Sequence, residues 1–324
     1  MAAVNGILLL DKPLGLSSNQ ALARARRLLG ADKAGHTGAL DPLATGMLPC
    51  CFGEATKIAG LLLGARKAYV AEVALGASTE TGDREGRVLA AGAVPPLDAA
   101  RLERTLAGFR GRIRQRPPAY SALKRDGVPL FRLARRGVGV VAPVRVVLIH
   151  GVAARLSVPS ALASGWAPPR PADALVGRPP GESGVDWPGL SLDVLCGSGT
   201  YIRSLASDLG AALGCPAHLA ALRRTWVEPF AGAPMTSLAA LDAECAAARG
   251  GALLRPVADG LSGWRRVDVD ADAERRLRQG QPLAFAAGAA TGPCRVHGPG
   301  GLVAIADAGP DGLLRTRRAF APGT

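Results

Sequence analysis

Residues 35–46 read Gly35-His36-Thr37-Gly38-Ala39-Leu40-Asp41-Pro42-Leu43-Ala44-Thr45-Gly46. Glycine lets backbone approach a ligand or turn sharply. Pro42 biases Asp41 toward extended backbone, so this stretch presents a carboxylate from a segment that is not helical. A lone Asp in a loop is usually a turn or capping residue. The surrounding residues 31–49 read as one long loop, and loops of that length are functional or disordered. Before it, Gly6 to Pro13 reads as a short buried strand stopped by proline. Ser17 or Ser18 then caps a helix over 19–29, closed by Gly30. After it come a helix near 54–64, a strand from Lys67 to Leu75 with alternating Tyr69, Ala71, Val73 and Leu75, a polar loop over 76–87, and a helix over 96–106.

Farther along, residues 101–136 carry eleven Lys/Arg against two Asp/Glu, so nine of the thirteen excess positive charges lie there. Pro117, Pro118, Tyr120 and Phe131 are interleaved with them, a mixture that suits a nucleic-acid contact; a solvated basic face is the competing reading. Val144 to Val158 is strand-like. The Pro/Gly-rich stretch 159–188 has no helical or strand period and reads as a surface insertion. Leu190 to Cys196 resumes as a strand, and residues 199–203 lead into a helix reaching Leu213. Past about 250 the chain becomes Gly-rich with short apolar runs, as in a small β-rich domain.

Composition narrows the function classes. The chain has 324 residues, 48% of them apolar, with 42 Gly, 25 Pro and a net charge of +13. That supports a sizeable core and two domains, and makes a polyanion the expected partner. Only five of the 39 basic residues are Lys, a coding bias toward Arg that inflates the apparent case for RNA. No apolar run approaches a membrane span. Val4 to Leu10 lacks a basic flank and runs into Asp11 and Lys12, so it does not read as a signal peptide. The six Cys show no C-x-x-C spacing and the four His are scattered, which argues against a disulfide framework or a zinc site and for free thiols in a reducing cytoplasm.

With these residues in view, the chain resembles the bacterial TruB family, the tRNA pseudouridine-55 synthases. Residues 35–46 look like that family's catalytic loop almost without change. The likeness continues in I-L-L-L-D-K-P-L-G-L-S-S (7–18), G-E-A-T-K (53–57), K-A-Y-V (67–70), Q-R-P-P-A-Y-S-A-L-K (115–124), G-T-Y-I-R (199–203) and the run from Asp208 to Arg224. Three departures are visible. Glu80 stands where the family has T-D-T, Asn19 and Gln20 replace a His/Phe-Asp pair, and the 159–188 stretch lengthens a strand connection.

The resemblance implies an α+β fold: a mixed or antiparallel sheet with packed helices over residues 1–250, a basic RNA-binding insertion over 109–140, and a PUA-like RNA-binding domain over 251–324. It implies isomerisation of uridine 55 in the tRNA T-loop, with no metal, nucleotide or redox cofactor and no obligate protein partner. Asp41 matches the essential carboxylate, which attacks C1′ of the ribose or acts as a base at C2′. Arg203 matches the arginine that pairs with it. Tyr69 matches the ring that stacks on the uracil and removes the C5 proton. Tyr201 and Leu222 match positions lining the uracil pocket, and Asp83 an acidic position near the site. His36 matches a residue that fills space left by flipped nucleotides. Lys12 and Pro13 read as support beneath the catalytic loop. Arg112, Arg114, Arg116, Lys124 and Arg132 are the expected contacts to RNA phosphates, with the tRNA acceptor end held by the C-terminal domain. A tRNA-folding chaperone with dispensable catalysis is the alternative, and an RNA-guided relative acting on ribosomal RNA a weaker one.

Overall fold

The apolar run Ile7–Leu10 becomes the centre of the strand Gly6–Lys12, and its alternation splits one core into two. Leu8 and Leu10 pack with Leu48, Cys50, Phe52, Leu238 and Leu241 on one side. Ile7 and Leu9 pack with Met47, Cys51, Ile58, Leu261, Ile305 and Phe320 on the other. A strand buried on both faces reads as an unbroken apolar run. The computed structural model describes residues 4–157, 189–285 and 291–322. The 159–188 insertion lies outside them. The chain forms two bodies, one of Met1–Pro42, Gly46–Ala65 and Val227–Thr324, the other of Leu43–Thr45 and Arg66–Trp226.

In the first body, Gly6–Lys12 runs antiparallel to the strand ending at Phe52, in register from Gly6 opposite Phe52 to Lys12 opposite Gly46. It runs parallel to Thr236–Ser237, which makes the sheet mixed. The helix Ser18–Leu29 packs Ala21 and Ala25 onto this sheet. Ser17 is its N-cap and Gly30, left-handed at φ 63°, its C-cap. Gln20 closes a capping box with Ser17, so this departure from the family pattern is a working helix start.

Two expectations need correction here. Residues 31–49 are not one loop: Ala34–His36 and Ala44–Phe52 are paired strands, leaving only 37–43 between them. Gly46 and Pro49 look like breakers, yet they sit in a strand buried along nearly its whole length, where burial overrides local preference. The helix expected near 54–64 is a 3-10 segment, Gly53–Ile58, followed by a single α turn, Ala59–Leu62.

The C-terminal residues form a separate five-stranded sheet, ordered Arg265–Asp268, Gly292–Gly298, Gly301–Ala308, Leu313–Ala319 and Leu283–Ala284. The helix Ala271–Arg278 places Leu277 in its core, with Val267, Val296, Val303, Ala304 and Leu314.

The second body is built on antiparallel strands. Lys67–Leu75 pairs with Gly189–Cys196, which pairs with Arg145–Ser157, which pairs with Gly111–Gln115. Ala217–Val227 lies on the other side of Lys67–Leu75. The helices Ala99–Ala107 and Ile202–Leu213 pack in this body. The first begins three residues later than expected because Asp98, not Pro96, caps it, accepting from Arg101 N–H at 2.6 Å. The basic insertion contains the hairpin Lys124–Arg125/Val128–Pro129, turned by Asp126 and Gly127 at φ 51° and 78°. Two positive φ values in a two-residue loop are what a type I′ turn requires. The helix Leu130–Arg135 follows.

Candidate active site

The backbone around Asp41 is fixed on both sides. Ser18 Oγ is buried, accepts Leu40 N–H at 2.7 Å and donates to Leu40 O at 3.1 Å. Pro42 O accepts Gly15 N–H at 2.8 Å. The turn carrying Gly15 is held in its place by buried Lys12, whose ammonium donates to Pro13 O and Leu16 O at 2.8 and 2.6 Å. The expected supporting role of Lys12 therefore has a direct form: a buried charge spent on main-chain carbonyls. Asp41 itself is half-buried. His36 accepts Gly38 N–H at Nδ1 (3.4 Å), so Nε2 carries the proton and donates to Asn19 Oδ1 at 3.3 Å. Asn19 thus orients the histidine ring.

The remaining expected site residues lie in the second body. Tyr69 and Leu222 are buried on the strands Lys67–Leu75 and Ala217–Val227. Arg203 opens the helix Ile202–Leu213 and is 5% exposed. Its two terminal nitrogens donate to Thr81 O and Tyr120 O, each at 2.9 Å. Its Nε lies 3.7 Å from Asp83 Oδ2. Asp83 is equally buried, and its Oδ1 accepts Thr81 Oγ1 at 2.6 Å and Glu85 N–H at 3.1 Å. Asp83 therefore organises the 79–87 loop and faces the guanidinium at once. Gly82, at φ 72°, supplies the left-handed backbone that this turn requires. The loop is tied to the neighbouring strand by Leu219 N–H to Gly82 O and Arg84 N–H to Leu219 O.

Glu80, the departure in this loop, has a partner: Tyr120 Oη donates to its carboxylate at 2.8 Å. That bond pushes the Tyr120 hydroxyl above the ordinary phenol value and keeps it a donor. A cleft of about 330 Å³ lies beside these groups, lined by Thr81, Gly82, Pro117, Pro118, Arg203 and Asp208 among others. Burial raises the Asp208 carboxyl.

Of the expected phosphate contacts, Arg112, Arg114, Lys124 and Arg132 are exposed. Arg112 and Arg114 alternate with Ile113 and Gln115, so they project from the face of the sheet opposite buried Gln115. Arg116 is also exposed, but one terminal nitrogen donates to Ala142 O at 3.0 Å and braces the insertion. Tyr201 is half-buried, and its main chain is held by Gln115 through two hydrogen bonds.

The sequence agrees with one family in both halves. The profile of the TruB family pseudouridylate synthase N-terminal domain matches residues 26–160, and that of the tRNA pseudouridylate synthase B C-terminal domain matches 203–259. A tRNA pseudouridine synthase B from Xanthomonas euvesicatoria pv. vesicatoria (strain 85-10) is 50% identical over 98% of this chain and 94% of its own length. The chain belongs to the TruB family. Its TruB relative from Xylella fastidiosa (strain Temecula1 / ATCC 700964) is 48% identical over 98% of this chain and 96% of its own. Among solved structures, "Crystal Structure of a Cbf5-Nop10-Gar1 Complex" superposes with a TM-score of 0.68 at 21% identity, covering 99% of this chain and 86% of that one. "Structure of H/ACA RNP bound to a substrate RNA containing 2'-deoxyuridine" gives the same score at 22%, covering 98% and 86%. At that identity the likeness concerns the fold, which is the α+β fold expected from sequence.

Four side chains of this TruB-family chain hold expected site residues without having been expected to: Ser18 beside Asp41 in the first body, and Thr81, Gln115 and Tyr120 around Asp83, Tyr201 and Arg203 in the second. Ser18, Gln115 and Tyr120 lie inside motifs quoted above, which is the one signal that could have singled them out.

Proposed function

We propose that this chain isomerises uridine 55 in the T-loop of tRNA to pseudouridine, with Asp41 as the essential carboxylate. The N1–C1′ bond breaks, the uracil turns, and a C5–C1′ bond forms; C5 gives up its proton and N1 gains one, so the composition of the RNA is unchanged. Asp41 acts on the ribose, as nucleophile at C1′ or base at C2′. Arg203 supplies a fixed positive charge, Tyr69 the stacking ring and the acceptor of the C5 proton, Tyr201 and Leu222 the walls of the uracil pocket, Asp83 the setting of Arg203, and His36 the replacement stack for extruded nucleotides.

The observation that carries this reading is the 50% identity, along 98% of the chain, to proteins named tRNA pseudouridine synthase B. It outweighs the fold-level likeness to the Cbf5 complexes and favours the enzyme over a binding chaperone. The clamps on Leu40 and Pro42 support a role for Asp41 that needs a fixed carboxylate. The exposed Arg112, Arg114, Lys124 and Arg132 suit contacts to the phosphates of the T-arm, which position RNA without reading its sequence. We assign residues 1–250 to catalysis and 251–324 to a PUA-like domain that grips the acceptor end. The test is purified protein with an unmodified T-arm stem-loop, scored for pseudouridine by chemical labelling. Conversion at the single uridine matching position 55 is expected; an intact, bound and unconverted stem-loop would refute the reading.

A further inference from the structure

Gln115 is 1% exposed, at the end of the strand Gly111–Gln115. A buried carboxamide must place both its ends. Here both go to one residue: Oε1 accepts Tyr201 N–H at 2.8 Å and Nε2 donates to Tyr201 O at 3.0 Å. Tyr201 is the N-cap of the helix Ile202–Leu213, with extended backbone and no side-chain cap. Its carbonyl also accepts Leu205 N–H at 3.0 Å, the first bond of the helix. One residue on, Arg116 O accepts Ser204 Oγ at 2.7 Å. The strand end therefore grips the helix start at Tyr201 and at Ser204. Arg203 leaves the main chain between these two grips.

We propose that Gln115 is a positioning residue for the reaction: its carboxamide sets the main chain of Tyr201, and thereby the places from which the Tyr201 and Arg203 side chains reach the substrate. The inference rests on the functional reading given above, which assigns those two residues to the site. Both ends of the Gln115 carboxamide are engaged by the Tyr201 main chain, so its effect is passed on through that residue. The carboxamide's acceptor takes the N–H of the N-cap residue, as the reach-back half of a capping box does, and its donor adds a second bond to that residue's carbonyl, so the main chain of Tyr201 is held at both ends.

Two isosteric variants separate this role from bulk packing. Gln115→Met fills the same space and loses both hydrogen bonds. Gln115→Glu, when ionised, sets a carboxylate oxygen against Tyr201 O; when protonated, it restores an acceptor and a donor in the amide's arrangement. Single-turnover conversion and T-arm affinity are measured across the pH range for both, each relative to wild type at the same pH. Displacement of a catalytic geometry by an ångström costs about 10²-fold, and that loss is expected for Gln115→Glu near pH 8 with affinity held within about threefold. The deficit should shrink as the pH falls and the buried carboxyl takes its proton, while Gln115→Met stays impaired at every pH. Hydrogen exchange should show faster exchange at the Tyr201 amide in Gln115→Met. Wild-type turnover by Gln115→Glu near pH 8, or equal losses in both variants with no pH trend, would overturn the proposal. Wild-type protein that makes no pseudouridine would instead overturn the functional reading, a separate result read from the same plates.

Discussion

Arg203→Lys keeps the positive charge and removes the fork. The guanidinium spans two carbonyls, Thr81 O and Tyr120 O, from separate nitrogens, each at 2.9 Å. An ammonium is a point donor on a flexible stem and reaches one of them. Losing one charge-assisted bond costs about 1.5–3 kcal/mol. Taking about 2 kcal/mol and about 2–4 °C per kcal/mol for a body of this size, the melting temperature should fall by about 4–8 °C. The same change loosens the 79–87 loop from the Tyr120 segment, leaving the Tyr120–Glu80 hydrogen bond to join them. Turnover should then fall by about 10²-fold, with T-arm affinity affected far less. The assay pairs thermal unfolding with single-turnover conversion at saturating RNA. A lysine variant with wild-type melting and wild-type turnover would show that charge alone suffices at position 203 and that the two-carbonyl fork is dispensable.

The charge cluster offers a salt test: Arg112→Gln with Arg114→Gln should lower the slope of log affinity against log salt by about 0.7–0.9 per lost contact, and an unchanged slope would leave the two arginines as a solvated face. His218 is buried and donates from Nδ1 to Ala77 O at 2.8 Å, and burial holds its pKa below the usual value of 6.5. The unfolded chain therefore binds a proton first as the pH falls below about 6.5, so stability should drop in that window in wild type and drop less in His218→Gln, judged by urea midpoints at two pH values. Burial pushes the Cys51 thiol up to about 12 and Cys196 to about 11. A thiol reagent near neutral pH should reach at most Cys245 in the native protein and all six cysteines after denaturation; native labelling of Cys51 would contradict the packing.

Where local signals and burial agree, the sequence is legible. The strand Lys67–Leu75 is found to the residue because one face is apolar and its ends are marked. The helix Ser18–Leu29 is found because Ser17 and Gly30 cap it. The strand Ala44–Phe52 is misread because two faces are buried, so there is no alternation, and Gly46 and Pro49 imitate a loop. The named site residues came from resemblance rather than from pattern; nothing in the spacing distinguishes Arg203 from the other arginines. Ser18 and Gln115 were illegible for a related reason. A side chain that grips main chain 22 or 86 residues away leaves no trace in its own neighbourhood. Charge behaves similarly. Several C-terminal arginines are paired with acids four residues away, as in Arg278 with Glu274 on one helix and Arg315 with Asp311 across a turn, and a net count cannot show that.

A single substitution tests most directly whether the Asp41 carboxylate carries the chemistry. Asp41→Asn changes one oxygen to an amide on backbone held by Ser18 and Gly15, so the loop should keep its shape. Wild type and variant are compared at saturating T-arm stem-loop in single turnover, with affinity measured alongside. Full conversion is expected from wild type and none detectable from Asp41→Asn, at affinity within severalfold of wild type. Near-normal pseudouridine formation by Asp41→Asn would contradict that role.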